Sequence, residues 1–141
     1  NKVKDIIEFI HLIHSVDSFR LIEQINKLSI NKNLITNILI QVKISDDDSK
    51  YGFLPNELEL IFNNYLSKKY KNIKILGLMG MATFSNDASI VESEFSLLSN
   101  LYKKYSKITP LKYLSMGMSG DYLLALKYNS NMIRVGSAIF N

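Results

Sequence analysis

Five short apolar runs recur along the chain: Phe9 to Val16, Asn37 to Ile44, Ile73 to Met81, Tyr113 to Met116, and Met132 to Val135. The first four are each followed by a stretch with helical spacing, and the larger intervals are about thirty residues, the length of a βα unit. Leu21, Ile22, Ile25 and Leu28 make one helical stripe. Leu58, Ile61, Phe62, Tyr65 and Leu66 make a second, and Val91, Phe95, Leu98, Tyr102 and Tyr105 a third. Pro110, after the third helix, marks the return to the strand at Tyr113, and Asp121 to Tyr128 supplies a fourth and shorter helix. Residues 1–8 read as the tail of a helix. Asp17 is the expected N-cap of the helix that follows the first strand. Pro55 suits the first turn of the next, and Ser89 with Glu92 fits a capping box. Strands alternating with helices demand a parallel sheet with helices outside it. The pattern alone fits both an open doubly wound sheet and a segment of a (β/α)₈ barrel.

The chain has 141 residues and is 47% apolar, enough for one core, and no linker divides it. Its 17 basic and 13 acidic residues leave a net charge of +4. The pairs Lys68-Lys69 and Lys103-Lys104 fall late in expected helices, where the helix dipole favours them. No nucleic-acid partner is therefore expected. With no cysteine, disulfide and thiolate chemistry are excluded. No apolar run reaches the roughly 18–20 residues of a membrane span, and the first residues lack a signal-peptide hydrophobic region. A cytoplasmic monomer without membrane contact is the expectation.

In either architecture ligands sit at the C-terminal ends of strands. Those ends are Ser15, the loop after Ile44, Met79 to Thr83, Met116 to Ser119, and Arg134 to Ser137. Ser119 offers a hydroxyl beside free backbone N–H groups, though a plain N-cap serine would look the same. Gly136 and Ser137 can present N–H groups and a hydroxyl to an anion, or form an ordinary turn. Arg134 stands among apolar neighbours, where a guanidinium is costly unless paired. Lys50 lies in the acidic loop 45–51 and is either a solvated loop lysine or a ligand. Met79 and Met116 would line a site at these strand ends or simply fill the core. His11 and His14 lack the spacing and the accompanying carboxylates of a metal site, so no metal is expected.

The same positions carry a family resemblance. Ser115-Met116-Gly117-Met118-Ser119, then a helix, then Arg134-Val135-Gly136-Ser137-Ala138-Ile139-Phe140, resembles the C-terminal signature of the pyridoxal phosphate homeostasis proteins. Ile44-Ser45-Asp46-Asp47-Asp48-Ser49-Lys50-Tyr51-Gly52 resembles that family's I-S-x-E-x-S-K-x-G. Gly77-Leu78-Met79 resembles its G-L-M strand end, His14-Ser15-Val16-Asp17-Ser18 its H-S-V-D-S segment, and Asn1-Lys2 the end of its L-Q-x-N-K. The motifs span the whole chain in the right order.

The resemblance implies a (β/α)₈ barrel of the alanine racemase N-terminal-domain type, with residues 1–141 as the C-terminal portion of a single barrel domain. Five strands are fewer than such a barrel holds, so roughly 70–100 further residues are expected upstream. It implies pyridoxal 5′-phosphate as cofactor, bound and buffered without robust catalysis, and pyridoxal phosphate-dependent apoenzymes as recipients. By the same resemblance Ser119, Gly136 and Ser137 match the residues that hold the cofactor phosphate. Arg134 matches the arginine on the pyridine nitrogen, and Lys50 the lysine near the cofactor mouth. The family's V-S-K motif, with the lysine that bonds the cofactor covalently, has no counterpart here. Gly120 and Asn141 also depart from the pattern, which has an acidic residue and a glycine there. The alternative expectation is an amino-acid racemase-like enzyme on the same barrel.

Overall fold

A computed structural model describes residues 2–48 and 51–140. Its five strands are β1 (Ile13–Val16), β2 (Thr36–Gln41), β3 (Ile73–Met79), β4 (Tyr113–Met118) and β5 (Met132–Arg134). The helices are α1 (Val3–Ile6), α2 (Phe19–Asn31), α3 (Leu58–Leu66), α4 (Ala88–Ser106), α5 (Tyr122–Lys127) and α6 (Ser137–Phe140). A 3₁₀ turn at Pro55–Glu57 leads into α3. All strand pairs are parallel, in the order β1-β2-β3-β4-β5.

That order settles what the alternation left open. A doubly wound sheet reverses its strand order and carries helices on both faces. Here the order never reverses. Buried residues of α2, α3, α4 and α5, among them Ile22, Ile25, Phe62, Phe95 and Ala125, join one cluster with Ile38, Ile40, Leu78 and Leu114 of the strands. One face of the sheet thus takes these helices, as in a barrel wall. Phe62 of α3 stacks on Tyr105 of α4 with ring centroids 4.5 Å apart. Each such buried aromatic contributes about 1.5–3 kcal/mol by its burial.

The opposite face is buried as well. Leu39 and Met79 are 0% exposed but stand outside the helix-facing cluster. Ser115, between Leu114 and Met116, turns the same way by strand alternation and is also 0% exposed. A flat sheet with helices on one side would leave these residues in water, so the sheet is curled over its own concave face.

Several boundaries differ from the sequence reading. The first strand begins at Ile13, and Phe9, expected within it, is 85% exposed. Ser18, not Asp17, caps α2, its hydroxyl accepting from Leu21 N at 3.1 Å. The capping box at Ser89 is not formed, because Asp87 accepts from Ser89 N at 3.0 Å and starts α4 earlier. The second strand stops at Gln41, beyond which Val42 bridges to Phe53.

Candidate functional site

The site grows out of two turns. At the end of β4, Gly117 has φ +106, a conformation that L side chains rarely adopt. A Cβ there would stand 2.8 Å from the Cβ of Ala125 and 3.1 Å from the Cα of Tyr122, so glycine lets α5 fold back onto the strand. Asp121 closes the turn: its carboxylate accepts from Met118 N at 2.7 Å, and its own N–H donates to Met118 O at 3.1 Å. The plain N-cap reading of Ser119 is not what forms, since Asp121 holds the cap position of α5. Instead the Ser119 hydroxyl accepts from Gly136 N at 3.1 Å, tying the turn after β4 to the turn after β5.

Arg134, at the end of β5, faces the concave side. Its Nε and one terminal nitrogen are buried and, among the described residues, have no hydrogen-bond partner. Burial lowers the guanidinium pKa from its ordinary value, and the Asp121 carboxylate opposes that shift through space. Guanidinium nitrogens only donate, so this group waits for an acceptor.

A cavity of about 710 Å³ lies against these groups. Ser119, Arg134, Gly136 and Ser137 all line it, with Thr83 and Phe84 from the segment after β3 on the far wall. The volume is ordinary for a small-molecule site. Four of the residues singled out in the sequence are thereby brought together. Met79 and Met116 do not line this cavity. Met79 is on the concave face, whereas alternation turns Met116 with Leu114 into the helix-facing core, which is its packing role. Lys50 lies outside the described residues. Just beyond it, Gln41 donates from Nε2 to Tyr51 O at 2.9 Å, and Gly52, at φ +139, passes so close to the end of β2 that a Cβ would stand 2.6 Å from Lys43 N. Among the described residues no cluster of histidines and carboxylates could hold a metal, and no helix is long and apolar enough to cross a membrane.

The sequence reading missed a network that builds the far wall. Both oxygens of Glu94 are taken by Thr83, one by its backbone N–H and one by its hydroxyl, each at 2.7 Å. The Thr83 hydroxyl bonds Ser45 at 2.8 Å, and Ser45 Oγ accepts from Asp47 N at 3.0 Å. Helix α4 thus fixes the loops after β2 and β3. A signal was present: Glu94 sits on the stripe of Val91, Phe95 and Leu98, where a carboxylate is out of place unless bonded.

The fold and this site define a barrel wall with a ligand pocket at its strand ends. The family model of the alanine racemase N-terminal domain matches residues 1–141, and the chain belongs to that family. Within it, the chain is 31% identical to the pyridoxal phosphate homeostasis protein of Aquifex aeolicus, over 99% of this chain and 61% of that protein. It spans about 60% of the length of the first curated relatives it matches. Among solved structures it resembles PipY of Synechococcus elongatus without pyridoxal phosphate, with a TM-score of 0.88 and 29% identity over 100% of this chain and 66% of PipY. PipY with pyridoxal phosphate bound matches at TM-score 0.83 and 26% identity, with the same coverage. The alanine racemase of Clostridium difficile, 15% identical with a TM-score of 0.75 over 99% of this chain and 36% of that enzyme, shares the fold.

Proposed function

We propose that this chain contributes the phosphate cup and the ring-nitrogen partner of a pyridoxal 5′-phosphate site, in a cytoplasmic protein that binds and buffers the cofactor without robust turnover. The observation that carries the reading is the meeting of Ser119, Gly136, Ser137 and Arg134 on one cavity, with the Arg134 guanidinium buried and unpartnered at its edge among the described residues. A phosphate brings acceptor oxygens to the hydroxyls and N–H groups of Ser119 and Ser137, and can take the Gly136 N–H in exchange for the Ser119 hydroxyl that accepts it in the structure. A neutral pyridine nitrogen brings Arg134 the acceptor it lacks. The residues therefore fit the group. The names of the homeostasis relatives and the cofactor-bound PipY support the same reading.

When bound, the cofactor supplies an electron-withdrawing ring and a reactive carbonyl. Arg134 sets how far that ring can act. A carboxylate at the ring nitrogen would keep it protonated, whereas a guanidinium stays charged and favours the unprotonated, weaker electron sink. The cofactor is then held well and used poorly, and pyridoxal phosphate-dependent apoenzymes are its recipients.

Titration with pyridoxal 5′-phosphate and with unphosphorylated pyridoxal tests the cup. The phosphorylated form should bind far more tightly, and equal affinities would remove Ser119 and Ser137 from the phosphate. An assay on L-alanine tests the second reading, a racemase-like enzyme, which the family allows. Rapid racemisation by the unmutated protein would replace buffering with catalysis.

A further inference from the structure

We propose that Asp121 limits how tightly the phosphate is held, its carboxylate disfavouring a doubly charged group in the cup; this rests on the cofactor reading above. Among the described residues, Asp121 and Arg134 are the only charged side chains that line the cavity. That reading matches Arg134 to the ring nitrogen. The phosphate, with nearly two negative charges at pH 8, then meets only neutral donors, the hydroxyls and N–H groups of Ser119, Gly136 and Ser137. The carboxylate belongs to the same turn as Ser119.

Hydrogen bonds keep that charge where it is. Asp121 Oδ1 accepts from Met118 N at 2.7 Å, and Asp121 N donates to Met118 O at 3.1 Å, so the side chain is held across the turn that carries Ser119. The Ser119 hydroxyl accepts from Gly136 N at 3.1 Å, which joins the same turn to the end of β5. The neighbouring charges do not cancel the carboxylate. Arg134 and Asp121 act on each other through space. Lys127, in the last turn of α5, does not line the cavity. Glu92, on the α4 helix that packs against α5, adds a second negative charge and accepts from Tyr128 at 3.3 Å, outside the cavity lining. The turn itself needs an acceptor at position 121 and not a charge, since an asparagine oxygen can take the Met118 N–H equally well. A site that buffers its ligand must also let it go, and a like charge beside the phosphate favours release.

The test compares pyridoxal 5′-phosphate with pyridoxal 5′-sulfate, an isostere with a single negative charge, in equilibrium titrations at pH 8. Asp121→Asn removes the charge and keeps the acceptor. It should tighten the phosphate about tenfold and the sulfate only about threefold, because repulsion scales with the ligand's charge. A new hydrogen bond from the asparagine amide would tighten both ligands alike, and loss of the turn would weaken both. The unmutated protein needs no variant to be informative: it should prefer the phosphate over the sulfate by less than about threefold. Equal gains on the two ligands in Asp121→Asn, no gain on the phosphate, or a strong preference of the unmutated protein for the phosphate overturns the proposal while leaving the cofactor reading in place. An unmutated protein that binds both anions no more tightly than pyridoxal overturns both.

Discussion

Arg134 is a costly residue to bury. Desolvation penalises an unpaired charge, and the half-buried Arg134 has a buried Nε and one buried terminal nitrogen without a hydrogen-bond partner among the described residues, with the Asp121 carboxylate acting on it through space. Arg134→Leu should therefore have opposite effects on two measurements. Cofactor affinity should fall by about 1.5–3 kcal/mol, one charge-assisted hydrogen bond. The melting temperature of the ligand-free variant should hold or rise, because a buried orphan has been removed. Binding should persist through Ser119, Gly136 and Ser137. Unchanged affinity on titration would take Arg134 out of the site. His14 gives a pH dependence whose sign can be worked out. Its folded-state pKa is lowered, by burial first and then by Arg134, below the ordinary 6.5. The unfolded chain then binds the proton more readily than the fold does. Stability is complete above about pH 6.5 and is lost as pH falls from there toward the folded pKa. Urea midpoints recorded from neutral pH down to about pH 5 should show this decline, and His14→Phe should flatten it. A decline of equal slope in the variant would mean that other groups carry it. Arg134 was legible in the sequence because a charge in an apolar run demands an explanation. The buried Nδ1 of His14, unpartnered among the described residues, was not, since the burial of one ring nitrogen depends on tertiary packing that periodicity does not report.

Helix α4 carries the second lesson, that the wall of a site can be set by a helix packed behind it, from which Val91 reaches the cavity. Its stripe was plain in the sequence, and Val91, Phe95 and Leu98 are buried as that stripe predicts. Its start was not, because Asp87 and Ser89 are both good caps and local hydrogen bonding chose between them. Glu94 joins α4 to the segment after β3 through Thr83 and onward to Ser45. Glu94→Ala leaves the Thr83 N–H without its acceptor and should cost about 2–3 kcal/mol. Glu94→Gln should cost under about 1 kcal/mol. Its amide oxygen can keep the Thr83 N–H, its NH₂ can donate to the Thr83 hydroxyl, and that hydroxyl can turn to donate to Ser45. Denaturant midpoints of the two variants measure the difference. Equal losses would mean that the negative charge, not the hydrogen-bond geometry, holds the wall.

The order of strands was beyond the sequence pattern for a physical reason: the same helix stripes cover a singly wound and a doubly wound sheet, and only the direction of each crossover step tells them apart. Motif resemblance supplied what periodicity could not. The resulting arrangement builds the cavity from the segments after three successive strands, with Thr83 and Phe84 after β3, Ser119 after β4, and Arg134, Gly136 and Ser137 at the end of β5. A ligand in this cavity touches segments after three neighbouring strands and can bind only when the sheet that places them is formed. Binding should therefore stabilise the entire unit and not a local segment. At free cofactor about 100 times its dissociation constant, the gain is about 2.7 kcal/mol. For a chain of this size that should raise Tm by roughly 5–10 °C. The melt should remain one transition, and its displacement should be the same whether followed by far-ultraviolet circular dichroism or by tyrosine fluorescence. Unphosphorylated pyridoxal at the same concentration should move it little, because the cup at Ser119, Gly136 and Ser137 goes unused. A cofactor-dependent shift confined to one of two separate transitions would mean that β4, β5 and their turns form an independent binding unit.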